Sequence, residues 1–221
     1  MADRHVLLLG ATGLVGRHLL SLLLEDTSIQ RVTSLGRRPL DSTRDRIASD
    51  AKLDHRVVDF DSLAAHGDLF AVDQVFCALG TTIRKAGSRE RFRVVDYDYP
   101  FAAASLGRKQ GATHFLLVSA AGANARSLNF YARVKGELDD AVAALGYRSV
   151  TIARPSLLVG ERQETRRGEE LGSKLGFLFP AKWKPIRAES VARALVDAAR
   201  TDSPGVRVLG SLEMRSAYEK A

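Results

Sequence analysis

The chain has 221 residues, of which 45% are hydrophobic and 27% charged, and its formal net charge is +7 at pH 7. This length and composition are typical of one globular α/β domain and exclude a low-complexity chain. A single cysteine, Cys77, excludes an intrachain disulfide and a cysteine-based metal site, and the five scattered histidines show no zinc-binding spacing.

The same features limit the compartment and the partners. No apolar run approaches membrane-spanning length, and the first apolar run, Val6–Leu9, is too short for a signal sequence. We therefore expect a cytoplasmic protein without a membrane partner. Because the Lys and Arg residues are dispersed, we expect no specific nucleic-acid site and at most weak, salt-dependent association. An anionic small ligand explains the excess positive charge at least as well.

Strand-like and helix-like patterns alternate along the chain. The predicted strands are Val6–Leu9, Arg31–Gly36, His55–Val58, Gln74–Leu79, Phe115–Val118, Ser149–Ala153 and Val206–Leu209. The predicted helices are Leu14–Glu25, Ser88–Gly107, Leu128–Leu145 and Glu189–Ala199. Strands joined through helices of this length pair in parallel by right-handed crossovers. The fold class is therefore α/β, a doubly wound parallel sheet (Rossmann fold) with helices on both faces.

Two segments interrupt this alternation. Pro100 lies inside the third predicted helical region and predicts a kink or a break there. Residues 156–187 look irregular, and we interpret them as a small substrate-side excursion over the sheet edge, so that residues 1–221 form a single domain. Within this excursion, Gly160–Gly172 could form either a lid over the substrate or a surface loop.

A glycine-rich loop follows the first predicted strand and opens the first helix. Its pattern is GxxGxxG, one residue wider at the start than the common dinucleotide-binding pattern. The first glycine permits a tight turn, the second lets the backbone approach a pyrophosphate, and the third lets the helix pack closely on the strand. Free N–H groups at the helix N-terminus favour an anion. The predicted dinucleotide-binding residues of this loop are Gly10, Thr12, Gly13, Leu14, Val15 and Gly16.

The end of the second strand favours one nicotinamide cofactor over the other. NAD-binding proteins usually carry an Asp or Glu about 20 residues beyond the glycine loop, where it binds the ribose hydroxyls. This chain has Arg37 and Arg38 in that region instead. Two guanidinium groups match the charge and geometry of a 2′-phosphate, so NADP(H) is predicted in preference to NAD(H), with no metal.

Three residues form a predicted proton-transfer site. Ser119 closes the strand Phe115–Val118, and Tyr131 and Lys135 are spaced i and i+4, which places them on one helix face. A neighbouring ammonium lowers the pKa of a phenol, which can then exchange a proton with a carbonyl oxygen while hydride moves at carbon. Ser119 would orient that oxygen, and Lys135 could also hold the nicotinamide ribose.

These residues together resemble the short-chain dehydrogenase/reductase superfamily over nearly the whole chain, and most closely its atypical branch around the HIV-Tat-interactive protein, CC3. The segments that carry the resemblance, beyond the glycine loop, are Cys77-Ala-Leu-Gly-Thr-Thr82, Lys85-Ala-Gly87, Val94-Val-Asp96, Asp98-Tyr99, Asn129-Phe-Tyr131, Val134-Lys-Gly-Glu137, Arg154-Pro155 and Glu161-Arg-Gln-Glu164. The chain departs from extended members of the superfamily at Asp96, where they often carry an Asn.

The resemblance implies roles for several residues. Ser119, Tyr131 and Lys135 would be the catalytic triad, and Pro155 would border the nicotinamide. The segment after the fourth strand would line the adenosine and ribose side of the cofactor through Ala78, Leu79, Gly80 and Thr81.

Two functions remain open at this point. The first is an NADP(H)-dependent oxidoreductase that acts on a small carbonyl or alcohol substrate. The second is an NADP(H)-binding regulatory or redox-sensing protein that acts on a protein partner with little or no turnover. Helices that flank such sheets often form dimer faces, so the fold also permits a homodimer.

Overall fold

A computed structural model describes residues 4–40, 50–159 and 183–219. Seven parallel strands form one sheet in the order β3-β2-β1-β4-β5-β6-β9, and β7 and β8 form a separate two-stranded parallel pair. The strands are β1 (Arg4–Leu9), β2 (Ile29–Gly36), β3 (Leu53–Val57), β4 (Gln74–Cys77), β5 (His114–Val118), β6 (Ser149–Arg154), β7 (Leu158–Val159), β8 (Ile186–Arg187) and β9 (Gly205–Gly210).

Helices connect these strands on both sides of the sheet. The α-helices are α1 (Leu14–Glu25), α2 (Ile83–Ala86), α3 (Arg89–Arg93), α4 (Tyr99–Lys109), α5 (Phe130–Ala143), α6 (Ala188–Thr201) and α7 (Ser211–Tyr218). A 3₁₀ segment covers Phe60–Phe70. No helix in the described part of the chain is long and apolar enough to cross a membrane.

Alternation of side chains along β1 shows that the sheet has an apolar core on each face. Successive side chains of a strand point to opposite faces, so Val6 and Leu8 pack on one side of the sheet and Leu7 and Leu9 on the other. The first core is completed by α1 and α6, and the second by the 3₁₀ segment, α4 and α5. The predicted α/β doubly wound sheet is therefore confirmed, with both faces covered.

The region predicted as one long helix is helical but divided. It consists of α3, a π-helical turn at Val94–Asp98, and α4, which begins next to Pro100. Proline is tolerated in the first turn of a helix, where its missing N–H is not needed, so the predicted break takes the form of a π turn that precedes the proline. Hydrophobic periodicity did not predict the 3₁₀ segment, the β7–β8 pair or α7.

The strand order determines where a ligand can bind. The chain leaves β1 toward β2 and β3, then crosses to β4 on the opposite side of β1. This reversal creates a crevice at the carboxyl ends of β1 and β4, the usual ligand position in open α/β sheets. The glycine loop follows β1 and Ala78 follows β4, so both border this crevice.

Candidate active site and dinucleotide site

The glycine loop packs too tightly for any larger residue at two positions. Gly10 has φ +87°, and a Cβ there would lie 2.7 Å from the backbone of Ala78. A Cβ at Gly16 would lie 1.9 Å from the carbonyl oxygen of Gly10. The amide of Gly13 donates to that same oxygen at 2.9 Å, which closes the turn. The backbone itself therefore forms the floor of the crevice.

The N-terminus of α1 suits an anionic group. Gly13 occupies the N-cap position without a side-chain hydrogen bond, and the first turn contains no acidic residue. The helix dipole and the N–H groups of the first turn therefore face no competing carboxylate from their own helix. A dinucleotide pyrophosphate fits these residues, with Thr12, Leu14 and Val15 flanking the two later glycines of the loop.

The two arginines lie where the sequence predicted, at the end of β2. Both are exposed, and neither guanidinium pairs with a carboxylate of the described residues. Nε2 of His55 donates to the backbone oxygen of Arg38 (2.9 Å), and Nδ1 of His55 shares a hydrogen bond with the hydroxyl of Ser34 (3.1 Å). These contacts fix the backbone that carries the arginine pair.

The segment after β4 connects the crevice to the interior. Ala78 lies directly under Gly10, and the amide of Thr81 donates to Oδ2 of Asp96 at 2.8 Å. Gly80 also approaches Asp96, since a Cβ there would lie 3.4 Å from Oδ1. Asp96 lies in the π turn and is only 1% exposed. A buried carboxylate therefore holds the loop that follows β4.

Helix α5 carries Tyr131 and Lys135 one turn apart. Asn129 caps the helix through a hydrogen bond from the amide of Ala132 at 3.1 Å. Gly136 allows the helix to pack against the loop that follows β5, because a Cβ there would lie 2.2 Å from the backbone at Asn124. The spacing places both side chains on one face of the helix, as the sequence predicted.

Lys135 forms a buried ion pair that the sequence analysis missed. Its ammonium lies 3.3 Å from Oδ1 of Asp96, and both side chains are at most 3% exposed. Burial alone would lower the pKa of Lys135, but Asp96, Tyr131 and Asp139 together outweigh burial and raise it. Burial raises the pKa of Asp96, whereas the ammonium and the Thr81 amide favour its ionised form. In the sequence, the only indication of this ion pair was that position 96 carries an Asp where extended members of the superfamily often carry an Asn.

The phenol of Tyr131 differs from the expected behaviour. Burial raises its pKa above the usual value, Lys135 opposes this rise, and Asp96 reinforces it. The i, i+4 spacing with Lys135 had predicted a lowered pKa for this phenol, and that prediction is wrong. The phenol ring packs against Phe92 of α3 with centroids 5.5 Å apart. Tyr131 therefore holds its proton more firmly than an unperturbed tyrosine does.

Ser119 lies near Asp139 of α5, one helical turn beyond Lys135. Its hydroxyl and Oδ1 of Asp139 are both buried without a well-formed hydrogen bond among the described residues. Burial raises the pKa of Asp139, and the neighbouring Ser119 hydroxyl opposes that rise. Nε of Arg154 donates to the other carboxylate oxygen, Oδ2, at 2.9 Å. Tyr131, Lys135 and Asp139, spaced four residues apart, therefore form one polar row along α5 that ends at Arg154.

Three further residues, Pro155, Cys77 and Trp183, lie near the strand ends that border this site. Pro155 is buried beside the loop after β5, where its carbonyl accepts from Ala121 at 2.7 Å. Burial raises the pKa of the Cys77 thiol to about 11, so it is unreactive. Trp183 contacts Gly122 of that same loop, and it thus borders the crevice side of the molecule. The predicted lid segment, Gly160–Gly172, lies outside the described residues.

No cluster of three His, Cys, Asp or Glu side chains that could hold a metal ion occurs within residues 4–40, 50–159 and 183–219.

Comparisons with known proteins agree with this geometry. Residues 10–202 match a family described as NAD(P)H-binding. Protein HTATIP2 of Rattus norvegicus is 34% identical over 220 residues, which cover 98% of this chain and 88% of that protein. The mitochondrial protein FMP52 of Candida albicans is 33% identical over 204 residues, which cover 87% of this chain and 86% of that protein.

Solved structures share the fold at low sequence identity. A UDP-N-acetylglucosamine 4-epimerase from Methanobrevibacter ruminantium M1, in complex with UDP-N-acetylmuramic acid, superposes with a TM-score of 0.74 at 16% identity, covering 95% of this chain and 77% of that one. MoeE5 in complex with UDP-glucose and NAD has a TM-score of 0.71 at 18% identity, covering 96% of this chain and 80% of that one.

Proposed function

Because the chain belongs to the NAD(P)H-binding family and has the Rossmann fold of the short-chain dehydrogenases/reductases, we propose that it is an NADP(H)-dependent oxidoreductase of a small carbonyl or alcohol substrate. One observation carries the proposal. Tyr131 and the buried ammonium of Lys135 are one turn apart on α5, and Lys135 pairs with Asp96, which holds the loop after β4 that borders the crevice. This is the arrangement that proton transfer to a carbonyl oxygen requires.

In this proposal each group of residues has a separate role in cofactor binding or proton transfer. The glycine loop and the N-terminus of α1 hold the pyrophosphate, Ala78 to Thr81 line the adenosine side, and Pro155 borders the nicotinamide. When bound, the dinucleotide supplies or accepts hydride. Tyr131 gives its proton to the substrate oxygen, and Lys135 balances the charge of the phenolate that remains and holds the ribose. Ser119 orients the substrate oxygen.

NADP(H) is the proposed cofactor because Arg37 and Arg38 stand exposed at the end of β2, without a carboxylate partner in the described part of the chain. A 2′-phosphate offers oxygens that a guanidinium can bind through two parallel hydrogen bonds. The solved structure of MoeE5 holds NAD, so the two cofactors must be compared directly for this chain.

For the cellular setting, we propose the cytoplasm, as the sequence analysis expects. The names of several fungal relatives include the word mitochondrial. Cell fractionation against cytoplasmic and mitochondrial marker proteins distinguishes the two compartments. Recovery in the mitochondrial fraction would contradict the cytoplasmic proposal.

The test is oxidation of NADPH across a panel of aldehydes, ketones and quinones, with NADH and the variant Tyr131→Phe measured in parallel. We expect turnover that prefers NADPH and falls about 100-fold or more in the variant, since general acid catalysis is worth at least that factor. The dissociation constant for NADPH should change little, because the ring remains packed against Phe92.

Two results would change the assignment. An unchanged rate in Tyr131→Phe would remove the phenol from the mechanism. Tight NADPH binding without turnover of any compound would favour the regulatory function, in which bound NADPH changes the affinity for a protein partner. A partner captured only in the presence of NADPH would then define that function.

A further inference from the structure

The buried pair of Asp96 and Lys135 has a consequence for the direction of the reaction. Asp96 contacts two parts of the site at once. Its Oδ1 lies 3.3 Å from the ammonium of Lys135, and its Oδ2 accepts from the amide of Thr81 at 2.8 Å. One carboxylate therefore connects the loop that lines the cofactor crevice to the helix that carries the proton donor.

The π turn explains how Asp96 reaches this position. A π turn contains one more residue than an α-turn would, and such turns are frequent at functional sites. Here the turn separates α3 from α4 and leaves Asp96 as its one buried residue, 1% exposed. Asp98, two residues later in the same turn, is exposed. The two carboxylates thus share one local structure, but only Asp96 faces Lys135.

The charge of Asp96 shifts the ionisation equilibrium of the Tyr131 phenol toward its protonated form. An ammonium alone favours the phenolate, because opposite charges attract. A carboxylate paired with that ammonium cancels much of its field at the phenol, and in a buried site this effect is large. An Asn at the same position could accept the Thr81 amide with its oxygen but would leave the ammonium charge uncompensated.

Other titratable groups face the pair and must be considered. From α5, these are Tyr131 and Asp139, both of which interact with Lys135. From β4, the thiol of Cys77 interacts with both members of the pair, and burial keeps it protonated. Arg154 on β6 pairs with Asp139 and largely compensates that charge. Asp96 is therefore the carboxylate that sets the charge next to Lys135.

We propose that Asp96 is a positioning residue that offsets the charge of Lys135 and keeps Tyr131 as the proton-bearing phenol, the form that carbonyl reduction uses, near neutral pH. This inference rests on the proposed oxidoreductase function and adds its direction. In the step it favours, the O–H bond of Tyr131 breaks and an O–H bond forms on the substrate oxygen. The substrate carbon receives hydride from the reduced dinucleotide, so the carbonyl is reduced to an alcohol and the dinucleotide is oxidised. The tyrosine phenolate recovers its proton from solvent.

The direct test follows the ionisation of Tyr131 without any cofactor or substrate. The protein is labelled with 3-fluorotyrosine, whose phenol ionises at lower pH, and titrated by ¹⁹F NMR, with Tyr131→Phe identifying the signal. We expect Asp96→Asn to lower the titration midpoint of residue 131 by about one pH unit or more. The matched control Asp98→Asn removes a carboxylate from the same π turn and should leave the midpoint unchanged.

A second comparison applies if Asp96→Asn does not fold. Removing both members of a buried ion pair leaves no unpaired charge, so the double variant Lys135→Met/Asp96→Asn is better tolerated than either single change. Its midpoint should lie below that of Lys135→Met alone, because only the single variant retains the carboxylate. Equal midpoints in this comparison, or an unchanged midpoint in Asp96→Asn, would overturn the proposal.

Kinetics then separate this inference from the proposed function. With a turned-over substrate, Asp96→Asn should shift the alkaline limb of the reduction profile to lower pH. At pH 7 and saturating substrate, it should raise kcat for alcohol oxidation relative to kcat for carbonyl reduction. An unshifted profile overturns the directional role. If the NMR midpoint shifts but no carbonyl or alcohol is turned over, the electrostatic role of Asp96 stands and the oxidoreductase function fails.

Discussion

Arg200 on α6 donates from Nε to Oδ2 of Asp26 at 2.9 Å and thereby joins the end of α1 to a residue 174 positions later in the chain. The backbone and hydroxyl of Ser28 also donate to Asp26, at Oδ1. Burial alone would raise the pKa of Asp26, but these hydrogen bonds outweigh burial and lower it to about 2. The ionised carboxylate therefore stabilises the packing of α1 against α6.

This contact predicts a loss of stability in acid. Because the pKa of Asp26 is lower in the folded than in the unfolded chain, its contribution is complete above about pH 4 and is lost as the pH falls toward 2. The shift corresponds to about 2 kcal/mol of unfolding free energy. Urea unfolding between pH 6 and pH 2.5 should show a shallower pH dependence for Asp26→Asn than for the original chain. Parallel curves would contradict the assignment.

The close approach at Gly16 predicts a joint loss of stability and cofactor binding. A Cβ would lie 1.9 Å from the carbonyl oxygen of Gly10, so Gly16→Ala must displace backbone on which the pyrophosphate site depends. We expect a lower melting temperature and NADPH affinity reduced at least about tenfold, measured by calorimetry. The control Gly210→Ala, where a Cβ meets nothing within 4 Å, should retain the NADPH affinity.

The arginine pair predicts cofactor preference. Replacing Arg37 and Arg38 by Ala should weaken NADPH binding at least about tenfold, because a charge-assisted hydrogen bond contributes about 1.5–3 kcal/mol. NADH binding should be almost unchanged, since NADH lacks the 2′-phosphate. The control Arg193→Ala removes an exposed arginine of α6 that pairs with Glu189. Equal weakening for both dinucleotides would refute a specific 2′-phosphate contact.

The ion pair of Arg154 and Asp139 predicts that replacing the arginine lowers the free energy of unfolding more than replacing the aspartate does. Asp139 is 1% exposed on its side chain, whereas Arg154 is 32% exposed, so removing the arginine leaves an unpaired buried carboxylate. Arg154→Leu should lower the unfolding free energy by about 2 kcal/mol or more, and Asp139→Asn by less. Urea unfolding of both variants, and of the double variant, measures the difference. Recovery of stability in the double variant is expected, and its absence would argue against pairing.

Local patterns predicted much of the fold. The apolar strands, the helix after Gly16 and the crossovers depend on short-range periodicity and turn chemistry, so the doubly wound sheet followed from them. The π turn and the 3₁₀ segment were missed because they differ from an α-helix or a loop by a few backbone hydrogen bonds, which side-chain spacing does not encode.

The sequence by itself determined the glycine loop, the alternation of strands and helices that makes a doubly wound sheet, and the i, i+4 spacing of Tyr131 and Lys135. Only the tertiary structure decided what surrounds Lys135. Asp96 lies 39 positions away, and its pairing with the ammonium depends on the burial of both groups. Burial and long-range charge determine the protonation of Tyr131, and neither can be obtained from the spacing of residues along one helix.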